Sequence, residues 1–220
     1  MNLPIVIIGS GGHASVVADA LLAAGEQVLG FTDTAPSRHG LTVCGLSVLG
    51  DDRVLDGFTP QTLALVNGIG DVGDAAVRHV EPMRRSVQRR LSEKGWVFAG
   101  VRHPSAIVSR FARIGADAQL LAACVVQAGA QVGEGCIIST ACVVEHDVTL
   151  GGWVHVAPRA LVCGDVTIGA RCHIGAGAVV RQGLHLGDDT VVGAGAVVVK
   201  DHAGGRVLVG VPACVMERET

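Results

Sequence analysis

The sequence from Ala106 to Asp201 reads AIVSRF-ARIGAD-AQLLAA-CVVQAG-AQVGEG-CIISTA-CVVEHD-VTLGGW and then VHVAPR-ALVCGD-VTIGAR-CHIGAG-AVVRQG-LHLGDD-TVVGAG-AVVVKD. The third position of all sixteen hexapeptides is Val, Ile or Leu, and the first position is small in most of them. A hexapeptide period is typical of a parallel β-helix, in which each repeat gives a short strand and a turn. Three hexapeptides close one coil of 18 residues, so the stretch predicts roughly five coils of a triangular prism.

The turns and the cysteines follow the same period. Gly, Ala and Asp collect at the fourth to sixth positions, where tight corners require unusual φ angles. Four of the seven cysteines occupy the small first position: Cys124, Cys136, Cys142 and Cys172. We expect these thiols to be buried fillers of the core rather than disulfide partners or metal ligands.

The composition indicates a folded protein that neither binds nucleic acid nor crosses a membrane. Hydrophobic residues make up 49 % and charged residues 17 % of the chain, and the formal net charge is −3. The sequence has no basic run and no apolar run of about 18 residues. The start, MNLPIVIIGSGGH, has no basic region before its apolar residues, which predicts a first strand rather than a signal peptide. We therefore expect a cytoplasmic protein.

The segment before the repeats alternates strands and helices. PIVIIGSGGHASVVADALLAAG predicts an apolar strand, a glycine turn and a helix, and QVLGFTD predicts a second strand that ends in Asp33. LALVNGIGD predicts another strand and a second glycine turn, and the charged residues 74–95 predict a helix. The predicted organisation is a Rossmann-like α/β domain at 1–102, an all-β parallel β-helix at 103–201 and a C-terminal segment at 202–220.

The first glycine turn fits a dinucleotide-binding fingerprint. Gly9, Gly11 and Ala14 satisfy G-x-G-x-x-G/A, and Asp33 follows about twenty residues later. Taken alone the pattern indicates NAD, but the segment supplies only one mononucleotide-binding half and no dehydrogenase-like region follows. A nucleotide with one diphosphate, bound at a helix N-terminus, fits better. A tight strand–helix turn that binds no ligand remains the alternative.

One corner of the predicted prism is unusually polar. Glu145, His146 and Asp147 fill the fourth to sixth positions of CVVEHD, so the imidazole is expected to point outward. A neighbouring carboxylate can hold its tautomer and raise its basicity, as a general base requires. Gly164 follows His146 by one coil of 18 residues, so its N–H is expected above the imidazole, where it can serve an oxyanion.

Two further histidines share one face of the prism. His155 and His173 both stand at the second position and are one coil apart, so we expect them to stack. His185 also stands at a second position, but it falls on another face because it follows His173 by only two hexapeptides.

Six short motifs together resemble one family: GSGGHA near the start, FTD after the second strand, HPSA before the repeats, CVVEHD, GWVHVAP and, near the end, VGVPA. The family is the PglD/NeuD-like sugar acyltransferases, and the resemblance covers essentially the whole chain. It implies a nucleotide-sugar-binding α/β domain followed by a left-handed β-helix. It also implies acetyl transfer from acetyl-CoA to an amino or hydroxyl group of a sugar. In the best-described members, the acceptor is the 4-amino group of a UDP-linked dideoxysugar.

The resemblance assigns roles to residues of the β-helix. His146 matches the catalytic base, and Asp147 matches the carboxylate that raises its basicity. His155 matches a residue that contacts acyl-CoA near its thioester, and Ala176 and Ala194 fall where the family contacts CoA through the backbone. No Ser–His arrangement stands out in the sequence, so we expect direct attack of the acceptor on the thioester without an acyl-enzyme.

The resemblance also assigns the substrate contacts of the first domain. The phosphate, sugar and nucleotide contacts fall on Gly11, Gly12, His13, Asp33 and Gly70. Asp71-Val72 stands where the family often has Asn-Asn or Asp-Asn, which leaves the base of the nucleotide open. Family members are homotrimers whose CoA sites lie between adjacent prisms and need no metal, and we expect the same of this chain.

Three other functions remain open from the sequence. One is O-acetylation of a free sugar such as sialic acid, with which NeuD-like members are associated. Another is a zinc enzyme, because trimeric carbonic anhydrases share the left-handed β-helix and His155 and His173 are expected on one face. The last is a structural or binding module without catalysis.

Overall fold

The computed structural model describes residues 3–70 and 82–216, which fall into two compact units. The described part of the first unit comprises residues 3–70 and 82–104, and that of the second comprises residues 105–216. No helix within these residues is both long and apolar enough to cross a membrane.

The first unit is an α/β sheet domain, as predicted. Its elements are β1 Ile5–Ile8, α1 Gly12–Ala23, β2 Val28–Thr32, a 3-10 turn Pro36–Arg38, β3 Thr42–Val43, β4 Leu46–Gly50, a 3-10 turn Asp52–Gly57, β5 Ala64–Asn67, α2 Met83–Ser92 and β6 Val101–Arg102. The sheet order is β3-β4-β2-β1-β5, in which β4, β2, β1 and β5 are parallel. Of the predicted helix at 74–95, residues 74–81 lie outside the described part of the chain.

Helix α1 covers the sheet with one apolar face. Ala14, Val17, Ala18 and Leu21 are buried at the i, i+3, i+4, i+7 spacing of an amphipathic helix. All four residues of β1 are buried as well, as expected for a central parallel strand. The pair β3–β4 is an antiparallel hairpin that was not predicted, because its first strand has only two residues and shows no pattern.

The second unit is a left-handed parallel β-helix, which confirms the predicted fold class. Face one contains the strands Ile107–Val108, Val125–Val126, Val143–Val144, Leu161–Val162, Val179–Val180 and Val197–Val198. Face two contains Arg113–Ile114, Gln131–Val132, Thr149–Leu150, Thr167–Ile168 and His185–Leu186. Face three contains Gln119–Leu120, Ile137–Ile138, His155–Val156, His173–Ile174 and Val191–Val192, and continues with Val207–Val209 and the antiparallel Cys214–Val215.

The register between coils is constant. Paired residues on neighbouring strands are 18 apart throughout the repeats, as in Val125↔Val143 and His155↔His173. From Leu120 to Val198, every third-position side chain is at most 4 % exposed, so these residues fill the prism. The count of one coil per three hexapeptides is thereby confirmed.

The first-position cysteines are buried, as predicted. Cys124, Cys136, Cys142 and Cys172 are at most 1 % exposed. Burial raises the pKa of the Cys172 thiol to about 12 and raises the pKa of Cys142 further. Because the thiolate is the reactive form, these four side chains act as apolar fillers.

Each face ends in a corner, and we number corners one, two and three after the faces that they follow. The sixth position of every hexapeptide from Ala123 to Gly195 has a positive φ, which confirms the predicted unusual conformation. At corner two the fourth position is glycine in successive coils: Gly115, Gly133, Gly151, Gly169 and Gly187. A Cβ at any of these five would lie within 2.4–2.7 Å of backbone atoms of the next coil, so the coils meet there without side chains.

Candidate active site

Corner one holds His146 in a defined orientation. Its Nδ1 lies 3.0 Å from Oδ2 of Asp147, and the imidazole is 63 % exposed. The carboxylate accepts a hydrogen bond, so Nδ1 carries the proton in the neutral ring and Nε2 is the free base. The hydrogen bond to Asp147 raises the pKa of His146, burial opposes this increase, and the charges of Asp147, Glu145 and Asp165 add to it. His146 therefore has the geometry of a general base.

Gly164 lies directly against this imidazole. A Cβ on Gly164 would lie 2.5 Å from Nε2 and 2.6 Å from Cε1 of His146, so only glycine leaves room for the ring. The Gly164 carbonyl accepts a hydrogen bond from the N–H of Gly183 at 3.0 Å. Among residues 3–70 and 82–216, no backbone hydrogen bond uses the Gly164 N–H. The structure thus brings a free base nitrogen and an available N–H donor to one corner, as the 18-residue count predicts.

Face three holds the two stacked histidines. His155 and His173 are paired in the sheet, and their ring centroids are 4.8 Å apart in an edge-to-face arrangement. Ser139 Oγ lies 2.9 Å from Nε2 of His155. The prediction that no Ser–His arrangement stands out in the sequence missed this contact. It failed because Ser139 reaches His155 diagonally between coils, whereas the period identifies only vertical neighbours. At 4 % exposure Ser139 is placed to hold the ring, not to attack a substrate.

Ala176 and Ala194 occupy corner three one coil apart. Both are exposed, and the Ala176 carbonyl accepts a hydrogen bond from the N–H of Gly195 at 2.9 Å. No backbone hydrogen bond within the described part of the chain uses the N–H of either alanine. Corner three therefore has two N–H groups, one coil apart, that no backbone acceptor of the described residues uses.

The predicted residues of the β-helix form two groups within one chain. His146, Asp147 and Gly164 meet at corner one, which joins faces one and two. His155 lies on face three, the side of the prism opposite to corner one, and Ala176 and Ala194 lie at the corner that follows it. A single chain therefore does not bring the two groups together.

In the first unit, the two glycine turns come together at one end of the sheet. The chain passes from β1 to β2 on one side and returns to β5 on the other, so the topological switch point lies between β1 and β5. A Cβ on Gly70 would lie 3.1 Å from Cβ of His13, which places the turns in contact. A Cβ on Gly11 or Gly12 would meet nothing within 4 Å, so the space over the start of α1 is open.

Asp33 is bound to the first glycine turn. Its Oδ2 accepts hydrogen bonds from the N–H and the hydroxyl of Ser10 at 3.0 and 2.5 Å, and its Oδ1 accepts one from the N–H of Ala35 at 2.9 Å. Burial acts to raise the pKa of Asp33, but these hydrogen bonds and the charge of Arg38 outweigh it, so the pKa is lowered. Ser10 and Arg38 were not predicted, because they are 28 residues apart and no periodicity relates them.

Over residues 3–70 and 82–216, no three His, Cys, Asp or Glu side chains are grouped as a metal site requires.

Known protein families match both units of the chain. The family profile of the PglD N-terminal domain matches residues 4–79, and that of the hexapeptide repeat of succinyl-transferase matches residues 165–200. No curated protein matches the chain at a significant level.

Solved structures match over nearly the whole length. PerB from Caulobacter crescentus, in complex with CoA and GDP-perosamine, is 37 % identical over 97 % of both chains, with a TM-score of 0.85. The acetyltransferase domain of PglB from Neisseria gonorrhoeae FA1090, in complex with acetyl coenzyme A, is 33 % identical over 98 % of this chain and 100 % of that one, with a TM-score of 0.87. A histidine-to-asparagine variant of perosamine N-acetyltransferase from Caulobacter crescentus is 36 % identical over 98 % and 97 %, with a TM-score of 0.86.

The fold and these matches define a hexapeptide-repeat acetyltransferase with an N-terminal α/β domain. The chain belongs to the PglD/NeuD-like family of sugar acyltransferases.

Proposed function

We propose that the chain transfers an acetyl group from acetyl-CoA to the amino group, at C4, of a nucleotide-linked deoxysugar. The observation that carries the proposal is the contact between His146 and Gly164, with Asp147 holding the imidazole. This arrangement supplies one proton acceptor and one N–H donor, which direct aminolysis of a thioester requires. The complex of PerB with CoA and GDP-perosamine supports the same pair of substrates.

The reaction is a direct transfer. The amine nitrogen attacks the carbonyl carbon of the thioester, the C–N bond forms, and Nε2 of His146 takes the proton that the nitrogen loses. The Gly164 N–H stabilises the oxyanion of the tetrahedral intermediate. The C–S bond then breaks, His146 gives its proton to the sulfur, and CoA leaves as the thiol. No acyl-enzyme is involved, because Ser139 and the first-position cysteines are buried, and burial and the charge of Glu145 raise the pKa of the Cys163 thiol beside Gly164.

A complete site needs two chains. We place acetyl-CoA between corner one of one chain and face three of its neighbour, where His155 contacts the thioester region and the N–H groups of Ala176 and Ala194 bind along CoA. The opposite positions of His146 and His155 on the prism support this arrangement. Repetition of such a head-to-tail contact around an axis closes a ring, and a triangular prism fits a homotrimer.

Mixed oligomers test the shared site. Co-expressed His146→Ala and His155→Ala chains would each be inactive as homo-oligomers, whereas mixed rings would contain sites with both histidines. Random assembly of equal amounts would restore about a quarter of wild-type activity. Absence of any restored activity, with mixed rings confirmed by mass spectrometry, would contradict the shared site.

The sugar nucleotide is proposed to bind at the switch point between β1 and β5. Gly11 and Gly12 leave open space for a diphosphate at the start of α1, and His13 and Gly70 close the other side. Asp33 fixes the turn between them from the end of β2.

The deciding experiment is a thiol-release assay with acetyl-CoA and a panel of amino sugars linked to UDP, GDP or dTDP. We expect turnover with a 4-amino sugar nucleotide and none with its 4-hydroxy counterpart. Calorimetric titration with the three free diphosphates identifies the base. Turnover of a free sugar, without binding of any diphosphate, would overturn the proposal in favour of O-acetylation of a free sugar.

A further inference from the structure

Arg38 folds back onto the first glycine turn. Its Nε donates a hydrogen bond to the Ser10 hydroxyl at 2.5 Å, and its Nη2 donates to the Ser10 carbonyl. Nε also lies 3.6 Å from Oδ2 of Asp33, and the side chain remains 38 % exposed. Ser10 itself is 1 % exposed, so the guanidinium is anchored to a buried part of the turn.

These contacts use only one edge of the guanidinium. Arginine has five N–H groups, and the hydrogen bonds to Ser10 occupy one on Nε and one on Nη2. Within the described residues, no acceptor contacts Nη1. The free edge, formed by Nη1 and the second N–H of Nη2, is a fork that matches two oxygens of a phosphate group.

The anchor lies beside the open space described for the substrate. Ser10 directly precedes Gly11, and a Cβ on Gly11 or Gly12 would meet nothing within 4 Å. Asp33 meanwhile accepts three hydrogen bonds from the turn and its own loop, and its lowered pKa keeps it ionised as the partner that holds Ser10 and Arg38. Arg38 is thus a positioned cation at the edge of this space.

We propose that Arg38 binds the diphosphate of the nucleotide-linked substrate, with Ser10 and Asp33 as its positioning residues. The inference rests on the proposed function and adds a binding residue to its substrate site. Because Arg38 contacts the part of the substrate that does not react, it contributes to affinity for the sugar nucleotide and not to the chemical step.

Titration of Arg38→Gln tests the inference. We expect its affinity for UDP or GDP, whichever the wild type binds, to fall about 10- to 100-fold, since charge-assisted bidentate hydrogen bonds are lost. Affinity for the corresponding nucleoside, which has no phosphate, is expected to stay unchanged. In the acetyl-transfer assay, KM for the sugar nucleotide is expected to rise while kcat and KM for acetyl-CoA stay constant. Arg38→Lys should retain part of the affinity.

The matched control is Arg53→Gln in the same unit. Arg53 is 86 % exposed and pairs with Asp51, so its loss is expected to leave diphosphate binding unchanged. Equal diphosphate affinity in Arg38→Gln and the wild type would overturn the inference alone. Equal loss of nucleoside and diphosphate affinity would also overturn it, because Arg38 would then only support the turn. A wild type that binds no diphosphate would overturn both this inference and the proposed function.

Discussion

Corner one and corner two are built from the same repeat, but they differ in whether their polar groups are paired with one another. At corner two, Arg171 binds Asp188 and Asp189 at 2.8–2.9 Å, and Asp188 also accepts a hydrogen bond from the N–H of Ala170. The polar groups of these four residues therefore satisfy one another. At corner one, the fifth-position glycine faces an imidazole, and both the Gly164 N–H and Nε2 of His146 remain available. A polar corner indicates catalysis when its donors and acceptors are left unpaired, and stability when they are not.

The largest difference between the corners is expected from His146→Ala. Loss of the general base should lower kcat about 100- to 10,000-fold. The melting temperature should not change, because the imidazole is 63 % exposed. His185→Ala, which removes another exposed histidine of the β-helix, is the control and should keep full activity. Thiol-release kinetics and thermal unfolding measure both variants, and an unchanged kcat in His146→Ala would refute the mechanism.

Exchange of one glycine at each corner separates activity from stability. In Gly164→Ala the new Cβ displaces the His146 ring, which should lower kcat about 100-fold with little loss of stability. In Gly151→Ala the Cβ would lie 2.7 Å from the backbone nitrogen of Ala170. The backbone cannot move away from this clash as a flexible side chain could. That variant should lose about 1–3 kcal/mol of unfolding free energy, while its folded fraction stays active. Denaturant titration with kinetics at each condition distinguishes the pair, and similar behaviour of both would contradict the comparison.

Asp147→Asn should change the pH dependence of the reaction. Only neutral His146 can accept a proton, so activity falls as the pH falls through its pKa. The carboxylate raises that pKa, and its removal should move the acidic limb of kcat/KM to lower pH. A weaker base should also lower the plateau at high pH by about tenfold. Asn tolerates the positive φ of 60° at this position, so the corner is retained. An acidic limb that does not move would argue against the hydrogen bond to His146.

The smallest effect is expected from Arg171→Ala at corner two. Its ion pairs are partly exposed, so their loss should reduce the unfolding free energy by at most about 1 kcal/mol. The rate of acetyl transfer should not change, because Arg171, Asp188 and Asp189 are paired with one another. Thermal unfolding and the thiol-release assay measure the two quantities. A marked loss of kcat would show that corner two takes part in catalysis.

The fold of the β-helix and several of its side-chain contacts could be predicted from the sequence. Because the hexapeptides contain no insertion, a vertical distance of one coil equals 18 residues, and this placed Gly164 on His146 and His173 on His155. The same count identified the buried cysteines. It could not identify Ser139 as the partner of His155, since a diagonal contact depends on the side-chain conformation of both residues.

The α/β domain was less predictable. Its strands, its first helix and its glycine turns follow from apolar patterns and turn residues, whereas the hairpin β3–β4 has too few residues for a pattern. The hydrogen bonds among Ser10, Asp33 and Arg38 join segments that are distant in sequence and have no common period. Such contacts are set by the packing of the whole sheet, so they required the structure.

The constant register between coils has a consequence for how such enzymes vary in length. His146 and Gly164 belong to two adjacent coils, and every coil meets only its neighbours. Removal of residues 181–198 would shorten the prism by one coil and leave this pair intact. Removal of residues 163–180 would instead put Gln182 where Gly164 stands and close the space for the imidazole. Length and catalysis are therefore separable properties of the prism, provided that size changes in whole coils and away from this pair.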